Sequence, residues 1–295
     1  MPDPWPQRLL LRAAYGLGWH LGPRLGPRAH QFLARTGARL AVRRPGPHLE
    51  QFRTNLVAAT GGPVSDEVVR AGVESYLRNF LEVFALPGWS ADDVRRRVET
   101  VGEDVLRTAF AGPGAVVALP HSGNWDLAGA WACLTGMPVT TVAEALAGPE
   151  LEAFTRFREG LGMKVLVHTD RDAIAALIGA VRAGRLVCLM ADRDLVGSGL
   201  PVSWAGHPVT LPAGPALVAR RTGATLVPAV CQFTPTGMQI VFGPAVPAQP
   251  GRDGLTAMTQ QVADFFAARI AEQPQDWHLM QPFFNARPIT AGADR

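Results

Sequence analysis

The chain predicts an α/β fold: a central, largely parallel sheet flanked by helices on both faces, preceded by a basic amphipathic N-terminal helical segment. Three observations carry this. Continuous apolar runs such as Ala115–Leu119 and Leu186–Met190 lack the polar alternation of a strand with one wet face, so they fit strands covered on both sides. They alternate with helix-length segments, the order of a parallel sheet. Pro and Gly punctuate the joints between them.

The elements follow in order. Ala115–Leu119, Val139–Ala143, Lys164–His168, Leu186–Met190, Thr225–Val230 and Gln239–Phe242 read as strands. Asp126–Cys133, Asp172–Arg182, Ala213–Thr222 and Leu255–Glu272 read as helices. At 295 residues and 47% hydrophobic content the chain can build one large core. It divides into a membrane-interfacial helical segment at 1–60, packed on the main domain, and an α/β domain at 61–295.

The chemistry concentrates at Leu119-Pro120-His121-Ser122-Gly123-Asn124-Trp125-Asp126. His121 falls at the carboxyl end of the first strand. Ser122, Gly123 and Asn124 are turn and N-cap residues, and a helix opens behind them with Asp126 in its first turn. A loop of this kind, at a strand end and a helix start, suits an anionic substrate. Across so short a turn the carboxylate of Asp126 is expected to fold back on His121, fix its tautomer and stabilise the imidazolium. No Ser or Cys nucleophile motif accompanies the pair. The hydroxyl that loses a proton is therefore expected to belong to a substrate.

His121 to Asp126 resembles the HX4D motif of the lysophospholipid and glycolipid acyltransferases. Arg156 to Gly162 resembles their arginine-bearing second block, Ala191-Asp192-Arg193-Asp194 their third, and Leu226 to Val230 their proline-bearing fourth. The likeness extends over nearly the whole chain. It is closest to the actinobacterial phosphatidylinositol mannoside acyltransferases, of the same branch as the lipid A lauroyl acyltransferases, and includes the terminal Asp276 to Pro282.

The resemblance implies transfer of a long-chain acyl group, palmitoyl foremost, from acyl-CoA as co-substrate to a mannose hydroxyl, with no cofactor or metal. His121 is then the general base and Asp126 its orienting acid. Asp194 is the expected further acidic residue, although the loop from Val196 to Gly206 has no Glu that would serve. Arg158 is expected on a phosphate of substrate or CoA, its planar guanidinium suited to bidentate pairing. Asp192 and Arg193, at another strand's carboxyl end, together with Ser122, Asn124 and Trp125, complete the expected binding residues. Backbone amides after Ser122 are candidates for the oxyanion. Trp125 reads foremost as packing, and His278 as structural.

The first fifty residues hold eight Arg against Asp3 and Glu50, a net of +6 in a chain of +3. Trp5, Leu9, Leu10, Ala13, Ala14 and Leu17 share a helical face beside Arg8 and Arg12, a pattern for lying on an anionic membrane surface. Arg8, Arg12 and His20 interrupt the segment well short of the roughly 20 apolar residues of a span. It also lacks the basic n-region and cleavage site of a secretory signal. Peripheral attachment to the cytoplasmic face of the membrane is the expectation.

Cys133, Cys188 and Cys231 are odd in number and far apart, which points to buried reduced thiols. Neither H-E-x-x-H nor paired C-x-x-C occurs, and nothing indicates nucleic acid or a protein partner. Alternatives of other classes are another glycolipid or lysophospholipid acyltransferase, a nucleotide-sugar glycosyltransferase and a lipid-binding protein. An α/β hydrolase would need a G-x-S-x-G elbow, which the chain lacks.

Overall fold

In a computed structural model, which describes residues 15–143, 149–167, 172–194 and 197–284, seven strands form one sheet. They are β1 (Val98–Val101), β2 (Ala115–Leu119), β3 (Val139–Ala143), β4 (Lys164–Val167), β5 (Leu186–Met190), β8 (Thr225–Phe233) and β9 (Met238–Phe242). The remaining two, β6 (Leu200–Trp204) and β7 (His207–Leu211), make a separate hairpin. The sheet order is β1-β9-β8-β2-β5-β3-β4. β8, β2, β5, β3 and β4 run parallel, while β9 turns back antiparallel on β8 and carries β1 beside it. The predicted α/β class holds, with a reversed edge that the sequence reading had not separated.

The pleat divides the core into two layers. Ala115, Val117 and Leu119 of β2 face one side with Val227 and Ala229, under the helices Glu103–Ala111 and Trp125–Leu134. Val116 and Ala118 face the other with Val187 and Leu189, under Ala173–Arg182, Gly214–Thr222 and Gly251–Glu272. All five residues of β2 are buried, as a two-sided strand requires.

The bounds of β2, β3 and β5 match the sequence expectation. β8 and β9 are longer than expected, and β4 closes at Val167, with His168 outside the described residues. The hairpin turns at Ala205 and Gly206, both at positive φ, the backbone twist that a two-residue hairpin needs. Gln260, on the long Gly251–Glu272 helix, bonds both backbone groups of Ser203 and so fixes the hairpin to the body.

Ahead of the sheet, the Pro27–Arg43 helix lies on the Asp66–Ala85 helix through small residues: Ala34 and Ala38 are buried, and a Cβ on Gly37 would sit 2.7 Å from Leu77 Cδ1. Its opposite side leaves Phe32, Leu33 and Leu40 exposed, and Leu17 and Leu21 in the helical stretch at 15–21 are exposed as well. Of the apolar face expected at Trp5, Leu9, Leu10, Ala13, Ala14 and Leu17, all but Leu17 lies outside the described residues.

Candidate active site

β2 and β5 are neighbours with Leu119 opposite Met190. His121 and Asp192 each lie two residues beyond that pair, so parallel register alone brings them side by side. His121 Nδ1 lies 2.6 Å from Asp192 Oδ1, and the His121 backbone N–H donates to Asp192 Oδ2 at 2.9 Å. Trp277 Nε1–H donates to the same Oδ2 at 3.0 Å. Burial alone would raise the Asp192 pKa; the nearby His121 and the hydrogen bonds from His121 and Trp277 reverse this and leave it below its usual value. An ionised Asp192 accepts the Nδ1–H hydrogen bond of His121, which directs the lone pair of that tautomer to Nε2.

This corrects the expected pairing of His121 with Asp126. Asp126 is buried in the first turn of the Trp125–Leu134 helix, and both its oxygens meet Arg158: Nε to Oδ1 at 2.6 Å and Nη2 to Oδ2 at 3.2 Å. Burial works against the Arg158 charge, but the Asp126 carboxylate more than compensates and holds the guanidinium ionised. Arg158 therefore anchors Asp126 across the cavity wall, where a phosphate contact had been expected. The carboxylate that orients the histidine comes from the neighbouring strand.

Asp194, the expected third acid, is not the carboxylate that meets His121 Nδ1. Its oxygens accept from the amides of Gly197 and Gly199 at 2.9 and 2.8 Å. Asn124 is the helix N-cap: its Oδ1 accepts from Leu127 N at 2.9 Å, and its Nδ2 donates to Glu82. Ser122 is buried and acts through its backbone, bridged to Trp277. The amides of Ser122, Gly123 and Asn124 donate to Pro120 O, Asp276 O and Met238 S respectively. The oxyanion candidates just after Ser122 are thus occupied by the fold.

Gly123 shows why the turn needs that residue. Its φ is +56°, and a Cβ there would lie 2.7 Å from the Cys231 carbonyl of β8.

The terminal Asp276-Trp277-His278 completes the site, which the sequence reading did not foresee for His278. Its backbone N–H donates to the His121 carbonyl at 2.7 Å. Trp277 is fully buried, stacked on Trp204 with ring centroids 5.5 Å apart. Here the one sequence signal was a Trp and a His adjacent to an acid near the chain's end.

Two cavities meet at this point. One is apolar: it is lined by Leu106, Val117, Leu119, Cys188, Ile240 and Phe242 together with residues of the Trp125–Leu134 helix. The other is a mouth in which His121, Arg193, Tyr76, Asn79, His278 and Gln281 stand among aromatic and aliphatic side chains, Phe80, Val83 and Phe154 among them. Trp125, Asp126, Val142, Arg158 and Met190 line both. Trp125 also sets its ring edgewise to His121, centroids 5.4 Å apart, so it walls the junction as well as packing. Among the described residues no group of His, Cys, Asp and Glu is arranged to hold a metal ion.

A histidine oriented by a buried carboxylate, in a mouth that adjoins an apolar cavity, suits a transferase that carries an acyl chain to an alcohol. The sequence profile of the bacterial lipid A biosynthesis acyltransferases matches residues 6–286, and the chain belongs to that family; it is an O-acyltransferase. It is 41% identical over 275 residues to the phosphatidylinositol mannoside acyltransferase of Mycolicibacterium smegmatis, covering 91% of this chain and 89% of that one. It is 42% identical over 278 residues to the protein of the same name from Mycobacterium tuberculosis, covering 91% and 87%.

Proposed function

We propose that the chain moves a long-chain acyl group, palmitoyl foremost, from acyl-CoA to a mannose hydroxyl of a phosphatidylinositol mannoside. The junction of the apolar cavity with the His121 mouth supports this reading: an acyl chain entering that cavity would leave its thioester carbonyl beside His121. The acceptor follows the names of the relatives.

In the proposed reaction His121 Nε2 removes the hydroxyl proton as the oxygen attacks the thioester carbon. The amino end of the Trp125–Leu134 helix supplies partial positive charge to the oxyanion that forms. Collapse breaks the C–S bond, and the imidazolium returns its proton to the departing CoA thiolate. Asp192 stabilises that imidazolium throughout, and Arg193 at the mouth supplies positive charge for phosphate. No protein-bound acyl intermediate is needed.

The protein is proposed to sit peripherally on the cytoplasmic face of an anionic membrane, through the first 60 residues. Support comes from the Pro27–Arg43 helix, where exposed Phe32, Leu33 and Leu40 lie among Arg28, Arg35, Arg39 and Arg43. Each arginine near an anionic leaflet contributes on the order of 1 kcal/mol. Among the described residues no helix is long and apolar enough to cross a membrane.

The test is incubation with palmitoyl-CoA and candidate acceptors, with thiol release and product mass measured together. Release that requires the mannoside, with a product one palmitoyl heavier, supports the reading. Release without acceptor points to a thioesterase, and no release to a lipid-binding protein.

A further inference from the structure

The strand register places the wall of the apolar cavity in steps. Leu119 of β2 is paired with Met190 of β5, Val117 with Cys188, Cys188 with Thr141 of β3, and Leu186 with Val139. All of them line the cavity, and Met190 also lines the mouth. They form three rungs on one face of the sheet, the first at the mouth and the third farthest from it.

Accessible surface falls from rung to rung. Met190 at the first, with Cys188 and Thr141 at the second, are half-buried although their strands are covered on both faces. Leu186 and Val139 at the third are each 1% exposed. Val187 and Leu189, which point to the other layer of the core, are buried, so the surface that Cys188 keeps belongs to the cavity side. Open space therefore reaches the second rung over β5 and β3 and closes at the third. At about 3.3 Å per residue, these rungs lie about 13 and 20 Å along the strands from the level of His121 and Asp192.

An extended alkyl chain advances about 1.25 Å per carbon, the projection of tetrahedral C–C bonds about 1.5 Å long. A chain whose carbonyl lies at His121 thus meets Thr141 and Cys188 about ten carbons on, and the third rung at about sixteen. The second rung is also chemically distinct, since it sets a hydroxyl and a thiol beside each other between the aliphatic Val117, Val139 and Leu186. Burial holds the Cys188 thiol well above its usual range, so it stays protonated and is no rival nucleophile. Covering the Thr141 hydroxyl with hydrocarbon carries a desolvation cost.

We propose that Thr141 and Cys188 read the acyl chain beyond about its tenth carbon, and that the Leu186–Val139 rung sets the longest chain accepted. This gauge deepens the acyl-transfer reading above and rests on it. Thr141 and Cys188 are specificity residues; the proton transfer stays with His121.

The test measures kcat/KM for saturated donors from octanoyl-CoA to icosanoyl-CoA, with the mannoside acceptor, in wild type, Cys188→Leu and Thr141→Val. Wild type is expected to gain about fourfold per methylene up to palmitoyl-CoA, the worth of one buried CH₂, and to lose activity with stearoyl-CoA and longer donors. Cys188→Leu fills the second rung and should lower the palmitoyl-CoA value about 10-fold while octanoyl-CoA, too short to reach it, stays within about twofold. Thr141→Val keeps the shape and removes the hydroxyl, so palmitoyl-CoA should gain about fivefold and octanoyl-CoA nothing. The palmitoyl-to-octanoyl ratio is the readout, because a general loss of packing lowers both donors alike. An unchanged ratio in either variant overturns the gauge while the transfer reading stands. So does a wild-type value that climbs on through icosanoyl-CoA, a result that needs no variant to fold. No transfer from any donor overturns the transfer reading and the gauge with it.

Discussion

At the scale of single residues, the site separates two acids with different work. Asp192 meets His121, and Asp126 meets Arg158. Two substitutions distinguish them. Asp192→Asn lets the ring adopt the wrong tautomer and should cost about 10²–10⁴ in kcat, as removal of His121 would. Asp126→Asn leaves the buried Arg158 charge unpaired, which should cost about 3–5 kcal/mol of stability in a denaturant titration. If Asp192→Asn turned over normally, the assignment of Asp192 would fall; if Asp126→Asn were as stable as wild type, the ion pair would not be structural. Trp277→Phe keeps the stack on Trp204 and removes only the N–H to Asp192. A kcat–pH profile shifted from that of wild type would show that the indole acts through Asp192. The histidine was legible in the sequence because a strand, a turn and a helix start frame it locally. Its true partner was not, since His121 and Asp192 are 71 positions apart and meet only because β5 lies beside β2.

At the scale of elements, the strands covered on both faces were the readable ones. β2, β3 and β5 are short apolar runs with sharp ends, and their expected bounds hold. β1 reads Val-Glu-Thr-Val at the sheet's edge, and β6 and β7 each carry a proline, Pro201 and Pro208, which weakens a strand signal. Asp194 was expected as the third acid from the family likeness and its place after a strand; its oxygens accept from the amides of Gly197 and Gly199. The Pro27–Arg43 helix carries the surface prediction. Replacing Phe32 and Leu40 together by Ser should lower sedimentation with anionic vesicles, since about 1.5–3 kcal/mol of side-chain burial is lost per residue. High salt should release the wild type. Sedimentation equal for the double variant and wild type would remove this helix from the membrane surface.

At the scale of the whole molecule, the sheet explains why the site lies where it does. β2 is central, β5 and β8 lie on its two sides and run parallel to it, and the crevice at their carboxyl ends holds His121 and Asp192. The terminal Asp276 to His278 then locks that crevice from above, so folding of the chain's end is coupled to the site. Acid stability reports this coupling. Folded His278 protonates only near pH 3, whereas an unfolded histidine does so near 6.5. Between these values the unfolded chain binds the extra proton, so stability falls as pH drops below about 6.5 and is complete above it. Going from pH 7 to pH 5 should cost wild type about 2 kcal/mol more than His278→Gln. Equal losses would mean that His278 is not buried neutral. The raised pKa of Asp276 acts in the opposite sense, losing stability as pH rises through its folded value, and it is common to both proteins.

The central claim is that His121, aimed by Asp192, takes the proton of an acceptor hydroxyl beside an acyl thioester. Single-turnover thiol release from palmitoyl-CoA in the presence of mannoside acceptor tests it most directly, in wild type, His121→Ala, Asp192→Asn and the double variant. Release in wild type should match acylated mannoside mole for mole. It should fall by about 10²–10⁴ in each single variant and hardly further in the double one, because the two side chains act as one unit. Losses that multiply in the double variant, or thiol release from His121→Ala at the wild-type rate, would contradict it.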